Sequence, residues 1–199
     1  MAFYRCVPSI SDLPIGYRRC KYLESNSKQH IDTNISFNKD YAYRIAVKFN
    51  TSEISYMFGF AATLPVMYLG IDNTVFTAYG DRNINGTRPN YTGNIVHFVL
   101  KNGFQSIDGA VVSKHTASKN NAYTPYLFNL NNYELKSGKG RIYNYKVESS
   151  DDIIQNFIPC LSKTGKPCMY DTVSKQPFYN LGTGEFGYEL MDGTYVAPI

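Results

Sequence analysis

At 199 residues and a net charge of +4, the chain fits a single all-β domain, a class that routinely reaches this length undivided. Its positive charge is thinly spread, densest at the doublet Arg18-Arg19, which excludes the polybasic tracts that bind nucleic acid or membrane surfaces. The 18 tyrosines and 12 phenylalanines, with no tryptophan, suit strands and surfaces where a ring packs while its hydroxyl stays wet.

Residues 1–12 carry Pro8, Ser9, Ser11 and Asp12 without a hydrophobic period, and the reading is an N-terminal arm that reaches a neighbour. The start lacks the basic-then-apolar order of a signal peptide and no apolar run approaches a membrane span, so synthesis in the cytoplasm without membrane insertion is expected. From Tyr41 the pattern alternates. Tyr43, Ile45, Val47 and Phe49 face one way and Arg44, Ala46 and Lys48 the other, the pattern of a half-buried strand. Met57 to Ala61 reads as a more buried strand. Val66 to Ile71 and Thr74 to Tyr79 flank Asp72-Asn73, a tight hairpin turn. Ile95 to Leu100, Phe104 to Ile107 and Ala110 to Val112 follow, separated by the turns Lys101-Asn102-Gly103 and Asp108-Gly109. Tyr126 to Leu130 and Gly140 to Val147 repeat the strand signature, and only Asp151 to Phe157 could pass for a short helix. Turn signals about every ten residues are the spacing of a sandwich or barrel.

Two blocks more distant in sequence than any hairpin carry a resemblance. One is Leu13-Pro14-Ile15-Gly16-Tyr17 with Tyr22-Leu23-Glu24-Ser25 and Gln29-His30-Ile31-Asp32-Thr33. The other is Gly140-Arg141-Ile142-Tyr143, Phe157-Ile158-Pro159-Cys160, Phe178-Tyr179-Asn180 and Gly182-Thr183-Gly184-Glu185-Phe186. Together they resemble the ends of lectin-like domains of bacteriophage minor structural and tail proteins, a branch of the concanavalin A and laminin G jelly rolls. The resemblance implies a single antiparallel β-sandwich over residues 13–199 whose terminal strands pair in one sheet. It further implies a virion component, such as a head fibre, capsid decoration or tail-tip module, with other virion proteins as partners. A homo-oligomer, with a trimer favoured by analogy to phage fibres, is the matching assembly. The alternatives are a bacterial or prophage carbohydrate-binding module and a degenerate glycosidase.

No catalytic residue emerges. The Glu-x-Asp-x-x-Glu strand of sandwich glucanases, a Gly-x-Ser-x-Gly elbow and a His-Glu-x-x-His helix are all absent from the sequence, and a hydrolase needs a fixed pair of carboxylates. His97, within a strand, reads as a packed or paired histidine. Asp81-Arg82-Asn83-Ile84-Asn85-Gly86 copies half a calcium loop, but Thr92 stands where the bidentate glutamate belongs; no metal and no cofactor is expected. Cys6, Cys20, Cys160 and Cys168 lack metal spacing and read as free thiols, with a Cys160–Cys168 bridge as the other option. If the protein touches a host surface, glycan is the expected target, with Asn83, Asn85 and Arg88 as loop hydrogen-bonders and Tyr123 and Tyr126 as stacking platforms; core and subunit packing is the plainer use of those tyrosines.

Overall fold

The alternation from Tyr43 to Phe49 is realised as a strand whose odd-numbered residues are buried, while Arg44 is exposed and Lys48 half-buried. The computed structural model describes residues 12–61, 64–81, 86–89, 93–131 and 138–199. The expected arm therefore lies outside the described residues except for Asp12, and so do Cys6, Asn83, Asn85 and most of the calcium-like loop. Among the described residues there are seventeen strands: β1 (Arg18–Asn26), β2 (Ile31–Asp32), β3 (Ala42–Phe49), β4 (Ser55–Phe60), β5 (Val66–Asp72), β6 (Thr74–Gly80), β7 (Gly86–Pro89), β8 (Val96–Lys101), β9 (Phe104–Ile107), β10 (Ala110–Ser113), β11 (Tyr126–Leu127), β12 (Lys139–Glu148), β13 (Ile153–Leu161), β14 (Pro167–Asp171), β15 (Gln176–Tyr179), β16 (Gly187–Leu190) and β17 (Tyr195–Val196). None of them is joined by a helix long and apolar enough to cross a membrane.

The strands form two antiparallel sheets. The larger runs β10-β9-β8-β3-β12-β1-β13-β14-β15, with β16 beside β1 and β17 beside β16; the smaller runs β2-β11-β4-β5-β6-β7. The terminal strands pair as the resemblance implied, Leu23 of β1 lying opposite Tyr188 of β16. Between the sheets lies one main core. Tyr43, Phe49 and Tyr145 from the larger sheet meet Phe58, Phe60 and Tyr79 from the smaller, all buried, and inner faces closing over such a layer define a β-sandwich. Gly59 of β4 marks its tightest point. With φ at +124°, it sits where an added Cβ would lie 2.0 Å from the Met67 carbonyl oxygen, a position open only to glycine.

Several local expectations are corrected. The strand expected from Tyr126 to Leu130 stops at Leu127, because Phe128 takes φ +61° and turns the chain out of the extended region. Asn73, at φ +53°, alone turns the β5–β6 hairpin, leaving Asp72 paired with Thr74. Ile153 to Phe157 is the start of β13 rather than a helical turn. His97 is exposed on the outer face of β8, and its backbone N–H donates to Asp108 Oδ1 at 2.8 Å. Cys20, Cys160 and Cys168 are free and buried. Cys160 and Cys168 stand opposite each other across β13 and β14 with sulfurs 3.5 Å apart, beyond the bonded length of about 2.05 Å.

Candidate functional site

The structure separates the residues the sequence grouped. Arg88 lies on β7, paired through its backbone with Val75, and Tyr126 lies on β11. Between those strands are β4, β5 and β6, so four inter-strand steps, about 19 Å, part them. Tyr123, in the loop before β11, stacks on buried Phe60 with ring centroids 6.3 Å apart, which makes it a packing residue. Tyr126 stacks on His30 at 5.2 Å. Burial raises the Tyr126 phenol, with the nearby Asp32 charge adding to it, and burial lowers the His30 imidazole.

The aspartates of the loops hold turns. Asp171 accepts backbone N–H bonds from Asn156, Val173 and Ser174, and Asp81 accepts from Ser118 at 2.9 Å. With Asp81 so engaged, no group of three His, Cys, Asp or Glu side chains placed to hold a metal occurs among the described residues.

A different constellation forms at one rim of the sandwich, where the β2–β3 and β10–β11 loops run side by side. Phe37 is its staple. The ring is buried, stacked on Tyr43 at 5.9 Å and edge-on to Phe60 at 5.4 Å and Tyr79 at 5.7 Å. Its backbone N–H donates to the Tyr123 carbonyl at 3.0 Å, and its carbonyl accepts from Asn121 N–H at 3.2 Å. The Tyr43 hydroxyl accepts from Asn38 N–H at 2.8 Å and donates back to the Asn38 carbonyl at 3.2 Å. Burial holds that phenol far above its ordinary pKa, so it remains a donor throughout the physiological range.

These two loops, with Ile154 of β13, border an open cleft of about 590 Å³ lined by Ile35, Ser36, Asn38, Tyr41, Asn120 and Ile154 among others. Its chemistry is neutral. Asn120 Oδ1 accepts from Lys39 N–H at 3.0 Å and Asn38 Oδ1 from Asp40 N–H at 3.0 Å, which leaves each amide NH₂ to donate outward. Asn121, by contrast, is tied at both ends, donating to the Pro65 carbonyl and accepting from Tyr123 N–H. Tyr41 is half-buried against the core and offers its remaining face to the cleft. The sequence carries one signal here: Asn38, beside Phe37, and Asn120 are turn asparagines of the same kind as Asn83 and Asn85.

The two sheets, their antiparallel pairing and the shared core place the chain in the class of jelly-roll, lectin-like sandwiches. A protein from Bacteroides ovatus, provisionally assigned to carbohydrate binding, superposes with a TM-score of 0.63 at 13% identity, over 92% of this chain and 62% of its own. This chain thus spans less than two thirds of that protein. The heptameric SAP-like pentraxin of Limulus polyphemus superposes at 0.44 with 14% identity, over 66% of this chain and 74% of its own, too loosely to add to the assignment. No protein-family pattern and no curated protein matches the chain.

Proposed function

We propose that the protein is a non-catalytic carbohydrate-binding module that takes a sugar unit in the rim cleft between the β2–β3 and β10–β11 loops. The observation that carries this reading is the lining: an aromatic face, Tyr41, flanked by the outward amides of Asn38 and Asn120, with no charged side chain among the lining residues. A pyranose presents an apolar C–H face and a ring of hydroxyls, and an aromatic surface with a few fixed polar groups answers both. The sugar-binding assignment of the Bacteroides ovatus neighbour agrees with the reading by fold analogy only.

Placement in a phage particle rests on the terminal blocks alone. Those blocks fall in β1, β2, β12, β13 and β15 and the loops beside them; they build the sandwich and contribute no residue to the lining of the cleft. A particle would supply the many copies that weak single-site sugar binding needs.

A glycan array followed by calorimetric titration of the best ligand tests the proposal. Asn120→Ala, at an exposed position, and Tyr41→Ala, at a half-buried one, should each weaken binding about tenfold or more, equivalent to roughly 1.4 kcal/mol. Unchanged affinity in both, with the fold retained, refutes the cleft as the site. Release of reducing ends from any bound glycan refutes the non-catalytic assignment.

A further inference from the structure

We propose that the outer face of the larger sheet, over β8, β3 and β12, binds an acidic polysaccharide bearing repeated carboxylate or sulfate groups. This goes beyond the rim cleft, using a separate surface and a different ligand chemistry.

Side chains on alternate positions of a strand share a face. The inward positions of the three strands, Phe98 and Leu100, Ile45 and Val47, and Ile142 and Val147, which share a face because β12 shifts register between Ile142 and Asn144, are buried in the core. Their outward positions carry Lys101 on β8, Arg44 and Lys48 on β3, and Lys139, Arg141 and Lys146 on β12. The register brings like charges together. Lys146 lies directly opposite Arg44, and Arg141 directly opposite Lys48, arrangements that destabilise a sheet unless an anion intervenes.

Three carboxylates border the face, and each is already engaged. Glu148 accepts from Arg44 Nε at 2.5 Å and pairs with Lys146 Nζ at 2.5 Å. Glu24, at the β1 edge, accepts from Arg141 Nε at 2.8 Å and Asn50 Nδ2 at 2.8 Å. Asp108, in the β9–β10 turn, accepts from the His97 backbone. Among the described residues Lys48, Lys101 and Lys139 have no ion-pair partner. With Glu53 lining the same cleft as Lys48 and the Lys21–Glu189 pair adjoining on the β1 side, the face still carries more cations than carboxylates, in a chain whose net charge is +4.

Charge complementarity therefore selects a polyanion, and the shape of the surface selects its class. A sheet face three strands wide is broad and shallow, with no groove to enclose a nucleic-acid strand. The rings that border it, Tyr22 and Tyr143, pack edge-on against each other at 5.3 Å, and the Arg141 guanidinium covers Tyr22 at 4.3 Å, so neither is free to stack on a base. The unpaired ammonium groups stand at both ends of the face, Lys48 and Lys139 at one and Lys101 at the other, about 20 Å along β3 from Lys48, a span that suits an extended chain carrying repeated acidic groups.

The test is affinity electrophoresis of the whole chain through gels containing polygalacturonate, neutral galactan or double-stranded DNA at low salt and at 0.15 M salt. The expected result is retardation by polygalacturonate that falls steeply with salt, as charge-driven binding must, and that exceeds retardation by galactan and by DNA. The triple variant Lys48→Glu, Lys101→Glu, Lys139→Glu, at positions with no ion-pair partner, should lose binding to polygalacturonate about tenfold or more while keeping its melting temperature. It should also keep whatever neutral sugar the cleft binds, which separates failure of this proposal from failure of the cleft. No retardation of the wild type, an unaffected triple variant, or DNA retarded as strongly as polygalacturonate would each overturn it.

Discussion

Tyr43→Phe removes one oxygen from the core and nothing else, so it isolates how the rim loop is held. The Tyr43 ring is 1% exposed and stays in place, leaving no cavity. What disappears is the hydroxyl that closes both polar ends of Asn38, at 2.8 Å and 3.2 Å. A hydrogen bond contributes about 0.5–1.5 kcal/mol net. The Asn38 backbone is half-buried and water can replace part of the loss, so the expected destabilisation is about 1–2 kcal/mol. In a domain of this size that lowers the melting temperature by about 2–8 °C. Urea denaturation followed by near-ultraviolet circular dichroism reads it directly, with an unchanged slope showing that the denatured state is unaffected. Sugar affinity at the cleft should fall in parallel, since Asn38 supplies one of its donors. A loss below about 0.3 kcal/mol would refute the reasoning and leave the loop held by Phe37 packing and its backbone bonds to Tyr123 and Asn121.

Three further outcomes follow from other parts of the molecule. Gly59→Ala should destabilise by more than about 3 kcal/mol or prevent folding, because its Cβ would meet the Met67 carbonyl at 2.0 Å; soluble protein with a near-native melting temperature would contradict this. Cys20, Cys160 and Cys168 should resist alkylation in the native protein at pH 8 and react in urea, as peptide mapping by mass spectrometry would show, since burial pushes the Cys20 thiol up to about 12 and Cys160 is raised by its hydrogen bond with Cys168 and by burial. Burial pushes the Glu148 carboxyl up, but hydrogen bonds from Lys146 and Arg44 outweigh it and hold the group below its usual value. Its stabilisation is therefore present above the unfolded pKa of about 4.3 and lost as the pH falls through the lower folded value; acid titration should show a shallower stability loss in Glu148→Gln than in the wild type.

The fold was legible where burial is one-sided. Tyr43 to Phe49 alternates because one face of β3 meets the core while Arg44 and Lys48 on the other reach water, with only Ala46 covered there, and Asp72-Asn73 announces its hairpin because Asn73 tolerates positive φ. Phe128 was not legible, since nothing in an aromatic run signals a left-handed residue that ends β11 after two positions. The rim cleft was hidden for a related reason. Asn38, Asn120 and Asn121 are chemically the same turn residue, and only the pairing of two loops far apart in sequence determines which amide is tied at both ends and which still has a hand free.

The same distinction governs the sheet face. Alternation marks Arg44 and Lys48 as outward residues, and an irregularity in β12 between Ile142 and Asn144 brings Lys146 to the same face as Arg141, yet outward charges are the ordinary means of keeping a sheet in water and imply no ligand by themselves. Register changes their meaning: a slip of two residues would keep every residue on its face and would part Arg44 from Lys146. The observed register instead places the pairs opposite and leaves Glu148 to bridge one and Glu24 to hold the arginine of the other. Lys48, Lys101 and Lys139 then remain as charge that folding does not use. Charge unneeded for the fold and concentrated on one face favours a counter-charge from outside the chain.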